Sequence, residues 1–74
     1  MVKYIFNTPK GTVSIISQRK RWQVVYQNEN LGSYYTPQAA ADDVAGGYTF
    51  SPSDGTDFSV LDIPSDIEDW EYIA

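Results

Sequence analysis

The sequence contains neither cysteine nor histidine. The absence of cysteine excludes disulfides, thiolate nucleophiles and zinc sites with sulfur ligands. The absence of histidine removes the commonest general base and the commonest neutral metal ligand. Carboxylates, hydroxyls and lysines are the chemistry that remains. We therefore predict a protein that is not an enzyme and that binds no cofactor and no metal ion.

Long apolar segments are absent too. The run at residues 2–6 ends at Asn7, well short of a signal-peptide core or a membrane-spanning helix. We expect a cytoplasmic protein without membrane contact.

The chain has 74 residues, which is one domain at most, 1–74. A domain of this size buries only about 60% of the surface that it exposes when unfolded. Two tryptophans, six tyrosines and three phenylalanines can compensate, because each aromatic ring buries a large apolar area. Part of that area can instead be buried between copies of the chain, so a homodimer is one expected form.

The charges are distributed unevenly, although the net charge is only −5. Residues 1–41 hold all five basic residues and one acid, whereas residues 42–74 hold nine acids and no base. Such asymmetry is typical of a basic binding surface beside an acidic segment, or of two halves that attract each other within one fold. The second interpretation is the plainer one.

Four segments rich in β-forming residues precede the clearest helix. Residues 2–6 and 12–17 flank a turn that contains proline and glycine, which favours a hairpin. Residues 22–27 and 31–35 follow, each after a short polar break. Because such short connections join antiparallel neighbours, we predict a four-stranded antiparallel meander.

The start of the helix is the strongest local signal. Thr36 is a good N-cap, and Pro37 suits the first helical position, where its missing N–H would have no partner. The helix continues through residues 38–45, which are rich in alanine, and ends at Gly46 and Gly47. Small residues allow close packing on a sheet, so we place this helix on one face of the meander.

The patterns are weaker beyond the helix. Residues 48–50 and 58–63 have the composition of short strands. Ser65 and Glu68 match a capping box, which indicates a short C-terminal helix through about Tyr72. The predicted fold class is α+β: an antiparallel meander of about four strands packed on one helix, with the C-terminal helix as an additional element.

Two pairs of acidic residues resemble sites without having the pattern of one. Asp54 and Asp57 bracket a Gly-Thr step, but their spacing does not match a calcium loop and is ordinary turn chemistry. Asp42 and Asp43 are adjacent on the helix and therefore point in different directions. Neither pair predicts catalysis or metal binding.

One basic segment has a specific functional interpretation. Arg19, Lys20 and Arg21 at a hairpin tip could neutralise phosphates, and Trp22 could stack or anchor. The flanking glutamines could reach base edges in the major groove, which accepts a two-stranded ribbon. The alternative is a polar turn with Trp22 in the core. The acidic net charge of −5 favours this alternative, because nucleic-acid-binding proteins are usually basic.

A tryptophan in a strand, a Leu-Gly step before the last strand of a sheet and an alanine-rich helix occur in order within residues 12–45. The segments are Trp22-Gln23-Val24, Leu31-Gly32-Ser33-Tyr34, Thr36-Pro37 and Ala39-Ala40-Ala41-Asp42. They resemble the core of ethylene-response-factor (Apetala-type) DNA-binding domains, and the whole chain is also similar to small bacterial proteins. The first resemblance implies a three-stranded sheet that packs on a helix and reads the major groove. It also implies that Arg19, Arg21 and Trp22 contact DNA.

The acidic C-terminal end is a candidate partner surface. Its acids surround Ile67, Trp70 and Tyr72, and tryptophan and tyrosine are enriched at binding hot spots. The alternative is a capped helix whose apolar side closes the core. From the sequence we therefore predict a small non-enzymatic protein-interaction module with an unidentified protein partner. A nucleic-acid-binding domain that uses residues 19–22 is the second prediction.

Overall fold

The computed structural model describes residues 2–74, which form one antiparallel sheet of five strands and one α-helix. The strands are β1 (Lys3–Thr8), β2 (Gly11–Gln18), β3 (Arg21–Tyr26), β4 (Glu29–Tyr34) and β5 (Glu71–Ile73). Their order is β4-β3-β2-β1-β5, so the first four strands form the predicted meander and β5 is added beside β1. The predicted α+β class is confirmed.

All three hairpins of the meander turn through two residues, and the second and third share one backbone conformation. Arg19 and Lys20 connect β2 to β3 with positive φ angles of 53° and 65°. Gln27 and Asn28 connect β3 to β4 in the same way, with φ angles of 52° and 63°. Positive φ at both central residues matches the twist of two antiparallel strands. For arginine, lysine and glutamine this conformation costs roughly 1–2 kcal/mol each, whereas asparagine adopts it more readily.

The helix α1 spans Pro37–Gly46, as predicted. Thr36 accepts a hydrogen bond from the Ala39 amide at 3.0 Å, and Gly47 follows the helix in the left-handed conformation at φ 75°. Both ends are therefore capped by the residue types that the sequence supplies for this purpose. No helix within residues 2–74 is long and apolar enough to span a membrane.

The two strands predicted within residues 48–63 are wrong. Residues 48–50 are irregular, and Phe58–Val60 forms a 3₁₀ helix. Asp57 is the N-cap of this 3₁₀ helix, and its side chain accepts a hydrogen bond from the Ser59 amide at 3.0 Å. An aspartate that bonds to the backbone two residues ahead competes with strand pairing, and this local bond accounts for the difference.

The predicted C-terminal helix is wrong as well. Only Ile67–Asp69 is helical, as a single 3₁₀ turn capped by Asp66, and the chain then pairs with β1 as strand β5. Trp70 is buried, and its indole N–H donates to the Pro64 carbonyl at 2.9 Å. Burial of this ring ends the helix after one turn and brings the following residues to the edge of β1, whose backbone groups they pair.

The core lies between the sheet and α1, and its side chains alternate along the strands as a period of two requires. It consists of Val13, Ile15, Val24, Tyr26, Leu31, Ala40, Ala41, Val44, Phe58, Ile63 and Trp70. We call this side of the sheet the covered face. The opposite side, the open face, carries partly buried residues that alternate with the core positions. They include Ile5, Ser14, Ile16, Gln23 and Val25.

Candidate binding surfaces

The acidic C-terminal end contributes its apolar residues mainly to the core. Trp70 is 4% exposed and packs against Phe6, with the ring centroids 5.8 Å apart. Ile67 is half-buried against the same core. Tyr72 is exposed, and its ring centroid lies 5.0 Å from that of Tyr4. Of the three residues predicted to bind a partner, Trp70 is therefore inaccessible and only Tyr72 belongs fully to the surface.

Three exposed aromatic residues instead follow or flank β4, which is an edge strand of the sheet. Tyr35 directly follows β4 and is 79% exposed. Tyr48 and Phe50 come after α1 and are 79% and 75% exposed. The Phe50 amide donates to the Leu31 carbonyl of β4 at 3.0 Å, which holds this segment beside the strand. We call Tyr35, Tyr48 and Phe50, together with the half-buried Tyr34, the aromatic edge.

A groove of about 220 Å³ lies between β4 and the segment that follows α1. Two glycines make room for the tyrosines that line it. A Cβ atom on Gly32, where φ is 157°, would lie 2.9 Å from the Tyr34 hydroxyl oxygen. A Cβ atom on Gly46 would lie 2.5 Å from Cε2 of Tyr48. Since no larger residue fits without moving a ring, both tyrosines lie against backbone that only glycine leaves accessible.

Tyr34 lies near a carboxylate of α1. Burial is the largest of the effects that raise the pKa of Tyr34 to about 12, and the nearby Asp43 carboxylate adds to the shift. The hydroxyl therefore stays protonated at neutral pH. One side of the groove thus combines a half-buried aromatic ring with a nearby negative charge.

Two backbone acceptors of β4 already have donors other than β3 amides. The Leu31 carbonyl accepts from the Phe50 amide, and the Ser33 carbonyl accepts from Nη2 of Arg21, both at 3.0 Å. An unprotected edge strand presents a row of unpaired backbone groups to any strand that is added to it. These two bonds reduce that opportunity at β4, so recognition at this edge depends mainly on side chains.

The predicted basic tip is accessible, and the acidic half of the chain does not cover it. Arg19 and Lys20 are exposed. Arg21 is half-buried, because its Nε donates to Oγ of Ser33 at 2.7 Å and its guanidinium lies 4.2 Å from the centroid of the Tyr35 ring. A guanidinium over an aromatic face is attracted by the ring. Arg21 therefore connects the basic tip to the aromatic edge.

Trp22 does not lie on the same face of the sheet as Arg21 of the basic tip. Its ring is half-buried on the covered face, with its centroid 5.8 Å from that of Tyr4. Successive side chains of a strand point to opposite faces, so Trp22 and its neighbour Arg21 lie on different sides of the sheet. The structure thus separates the tryptophan from the basic residues that the sequence groups with it.

A chain of hydrogen bonds crosses the open face beside the tip. Oγ of Ser33 accepts from Arg21 and from Nε2 of Gln23, the latter at 3.1 Å, and Oε1 of Gln23 accepts from Nδ2 of Asn30 at 2.9 Å. A shallow depression of about 330 Å³ lies here and is bordered by Arg19 as well. Its lining is cationic and carboxamide groups, which suit anions and the polar edges of bases.

Most acids lie on the helix side of the sheet, and most cations lie at the tip and on the open face. The exceptions include Glu71, which is paired with Ile5 and shares the open face, and Lys10, which lies near Asp54. The cations at the tip and on the open face are Lys3, Arg19, Lys20 and Arg21. The acids of α1 and of the segments between α1 and β5 are Asp42, Asp43, Asp54, Asp57, Asp62, Asp66, Glu68 and Asp69. The helix layer is therefore negative and the tip is positive, and such a separation orients the protein as it approaches a charged partner.

Two acids, one at the start of β4 and one in the loop after α1, accept hydrogen bonds from other residues of the chain. Glu29 accepts from the Ser53 hydroxyl and amide at 2.6 Å and 2.8 Å, and these bonds lower the pKa of Glu29. Asp54 accepts from Thr56 and from the Tyr26 hydroxyl, and these bonds lower the pKa of Asp54 in the same way. Within residues 2–74 no group of three acidic side chains could hold a metal ion.

No protein-family model, curated protein or solved structure matches this chain. The fold defines a structural class only, an α+β protein with a five-stranded antiparallel sheet and a helix on its covered face. The resemblance to Apetala-type DNA-binding domains stays a prediction. Function has to be inferred from the surfaces themselves.

The sequence pattern does not predict the aromatic edge. It places Tyr48 and Phe50 in a strand, and it does not distinguish exposed rings from buried rings in a chain with so many aromatic residues. The local signal is the pair Gly46 and Gly47 just before Tyr48, because glycines leave space beside an aromatic ring. Tyr35 has no such signal, since its exposure results from its place after the end of β4.

Proposed function

We propose that this protein is a non-enzymatic protein-interaction module and that the aromatic edge is its binding surface. The observation that supports the proposal is the high exposure of Tyr35, Tyr48 and Phe50 beside one edge strand. They are three of the five large hydrophobic side chains that are exposed in residues 2–74. Exposed apolar side chains beside one edge favour a partner site, because a partner removes these groups from water.

The composition and rigidity of the aromatic edge also favour this function. Tyrosine and arginine are enriched among the residues that contribute most to protein binding. Arg21 lies over Tyr35, so these two side chains can approach a partner as one unit. Tyr34 is half-buried beside Gly32, and a side chain that is already ordered loses less entropy on binding.

Affinity enrichment from extracts of the source cells tests this proposal with a matched pair of variants. Tyr48→Ser/Phe50→Ser removes two rings of the aromatic edge. Val60→Ser is the control, because Val60 is 71% exposed but lies in the first 3₁₀ helix, outside the edge. We expect discrete partners with the wild type and with Val60→Ser. The double variant should bind them at least about tenfold more weakly, which corresponds to about 1.4 kcal/mol.

Two outcomes would contradict the proposal. One is equal recovery of partners by the wild type and the double variant, and the other is recovery of no partner by any form. A homodimer through the same edge is a further form of this function, and light scattering over a concentration series of the wild type and the double variant tests for it. Localisation in the cytoplasm accompanies the proposal and can be checked by fractionation.

The second candidate function is nucleic-acid binding at the open face. The separation of charge favours it, since Arg19 and Lys20 project at the tip while most acids lie on the other side of the sheet. Exposed cations can neutralise phosphates, and the carboxamides of Gln23 and Asn30 can reach base edges. Both turn residues also have positive φ, a conformation that is unfavourable for arginine and lysine. Their presence there is consistent with a use for the charge.

Fluorescence anisotropy with a labelled DNA duplex tests this second function. Affinity should fall as salt rises, and Arg19→Ala/Lys20→Ala should reduce the salt dependence by about two released counterions. Lys10→Ala is the matched control, because Lys10 lies in the β1–β2 turn at the other end of the hairpin and near Asp54. The absence of binding at low salt, or equal loss in the control, would exclude this function.

A further inference from the structure

We propose that the partner of the aromatic edge is a proline-rich segment in the polyproline II conformation that carries a lysine or arginine next to its prolines. This inference rests on the proposed function and names the chemical class of its partner. Three properties of the groove support it: aromatic walls, occupied backbone acceptors and a negative charge.

The aromatic walls are the first property. Tyr34 lies against Gly32 on one side of the groove, and Tyr48 lies against Gly46 on the other, with Phe50 beside it. Proline-rich segments dock into grooves lined by aromatic side chains, where proline rings pack on flat aromatic faces. Such a segment is already extended when it is free, so binding it costs little conformational entropy.

The occupied acceptors are the second property, and they argue against an ordinary extended strand as the partner. A strand added to β4 would donate its amide groups to the edge carbonyls. The Leu31 and Ser33 carbonyls already accept from Phe50 and Arg21, so the amides of an added strand would have to share these acceptors. Proline has no backbone N–H, and a proline-rich segment therefore loses nothing at this edge.

The negative charge is the third property. The Asp43 carboxylate lies near Tyr34, which lines the groove. The helix α1 contains no basic residue that would neutralise Asp43. A cation next to the prolines would be attracted to this side of the groove, whereas an acidic segment would be repelled. Arg21, the cation at this edge, is held on the open face by Ser33 and the Tyr35 ring, so the charge on the helix side of the groove is negative and favours basic proline-rich segments.

A synthetic peptide of about ten residues with the Pro-x-x-Pro pattern and an arginine at each end is the probe. One comparison peptide replaces every proline with alanine, and another replaces both arginines with glutamate. Titration is followed by the amide resonances of the protein. We expect saturable shifts at residues 31–34 and 48–50 with the first peptide, and at least about tenfold weaker binding of each comparison peptide.

Protein variants locate the site in the same titration. Tyr48→Ala should weaken binding of the proline–arginine peptide by at least about tenfold, and Val60→Ala should leave it unchanged. Asp43→Asn should weaken binding of the proline–arginine peptide and reduce the difference in affinity between it and the glutamate peptide. Circular dichroism of each variant shows whether it is folded, and the comparison of peptides on the wild type does not depend on any variant.

The outcomes separate this inference from the proposed function. The partner class is wrong if the alanine peptide binds as well as the proline peptide. It is also wrong if no peptide binds while Tyr48→Ser/Phe50→Ser still loses the partners recovered from extracts. In both cases the proposed interaction function stands. If the resonances of the groove shift with the protein's own concentration, the occupant is a second copy, and the inference is overturned. If the peptides fail and the extract partners do not depend on the aromatic edge, both proposals fail.

Discussion

The ring of Tyr48 lies where a side chain on Gly46 would have to be placed. A Cβ atom on Gly46 would come within 2.5 Å of Cε2 and 2.7 Å of Cδ2 of that ring. Gly46 is the last residue of α1, where alanine would otherwise favour the helix by up to about 1 kcal/mol. The glycine therefore serves the position of the tyrosine rather than the stability of the helix.

Gly46→Ala keeps the Tyr48 ring but moves it, and so tests whether binding depends on the position of this ring. The highly exposed ring can turn away from the new methyl group, so we expect unchanged stability or a gain of at most about 1 kcal/mol. Partner binding should nevertheless fall, because the wall of the groove has moved. Thermal unfolding and binding to the recovered partners measure the two effects. Full binding by a stable Gly46→Ala protein would show that the ring position is irrelevant.

Replacement of Trp70 should have a much larger effect on stability than on any surface. Trp70→Ala leaves a cavity in the core and should cost about 3–5 kcal/mol, which is comparable to the whole stability of so small a domain. Trp70→Phe keeps a ring but removes the donor to the Pro64 carbonyl, and an intermediate loss of about 1–3 kcal/mol is expected. Urea denaturation followed by circular dichroism measures both. Val60→Ala is the surface control, and a Trp70→Ala midpoint equal to that control would contradict the burial of Trp70.

The stability of the fold should depend on the ionised form of Asp54. Hydrogen bonds from Thr56 and Tyr26 lower its pKa below the usual 3.8. Because the pKa of Asp54 is lower in the folded state than in the unfolded state, the ionised carboxylate stabilises the fold at any pH above the unfolded-state pKa. This stabilisation is lost as the pH falls through the folded-state pKa. Asp54→Asn keeps the shape of the side chain but cannot ionise. The stability difference between wild type and variant should therefore be constant from neutral pH to about pH 5 and shrink below about pH 4.

Asp62→Asn is the control for this titration, since Asp62 is an exposed acid with positive φ, a conformation that asparagine also tolerates. Denaturation curves at several pH values give the difference for each variant. A difference for Asp54→Asn that does not change below about pH 4, or that matches the control, would show that its hydrogen bonds do not distinguish the charged form.

Substitution of the two tight turns tests stability and charge separately. Arg19→Asn/Lys20→Gly supplies the residues that prefer this turn, and we expect a gain of about 1 kcal/mol in the free energy of unfolding. It also removes two exposed cations, so any binding to nucleic acid should weaken and depend less on salt. Gln27→Asn/Asn28→Gly is the matched control in the β3–β4 turn, which has the same φ pattern. It should stabilise the protein and leave binding unchanged. A loss of stability in both variants would contradict the assigned turn geometry.

The elements that could be predicted from the sequence are those specified by neighbouring residues. Thr36 and Pro37 begin the helix, and the Gly46–Gly47 pair marks its end, because caps act within one turn of the backbone. The four-stranded meander follows in the same way from alternating β-formers and short turns. Each of these predictions depends on contacts close in sequence, and each is confirmed.

The errors lie where contacts between distant residues prevail. Ser65 and Glu68 have the spacing of a capping box, yet Asp66 caps only one 3₁₀ turn. Burial of Trp70 and pairing of Tyr72 with Tyr4 at the opposite end of the chain replace the helix with a strand. A strand that completes a sheet edge is stabilised by its partner rather than by its own sequence, so no local pattern indicates it.

The sequence by itself determined the chemistry that this protein can use, since a chain without thiols and imidazoles has only aromatic, carboxylate, hydroxyl, amide and cationic groups with which to bind. Only the tertiary structure decided which aromatic rings are accessible. Trp70 and Tyr48 are both large aromatic residues in the C-terminal half, yet one fills the core and the other lines a groove. Exposure is a property of the packed chain, because it depends on which distant residues compete for the same core volume.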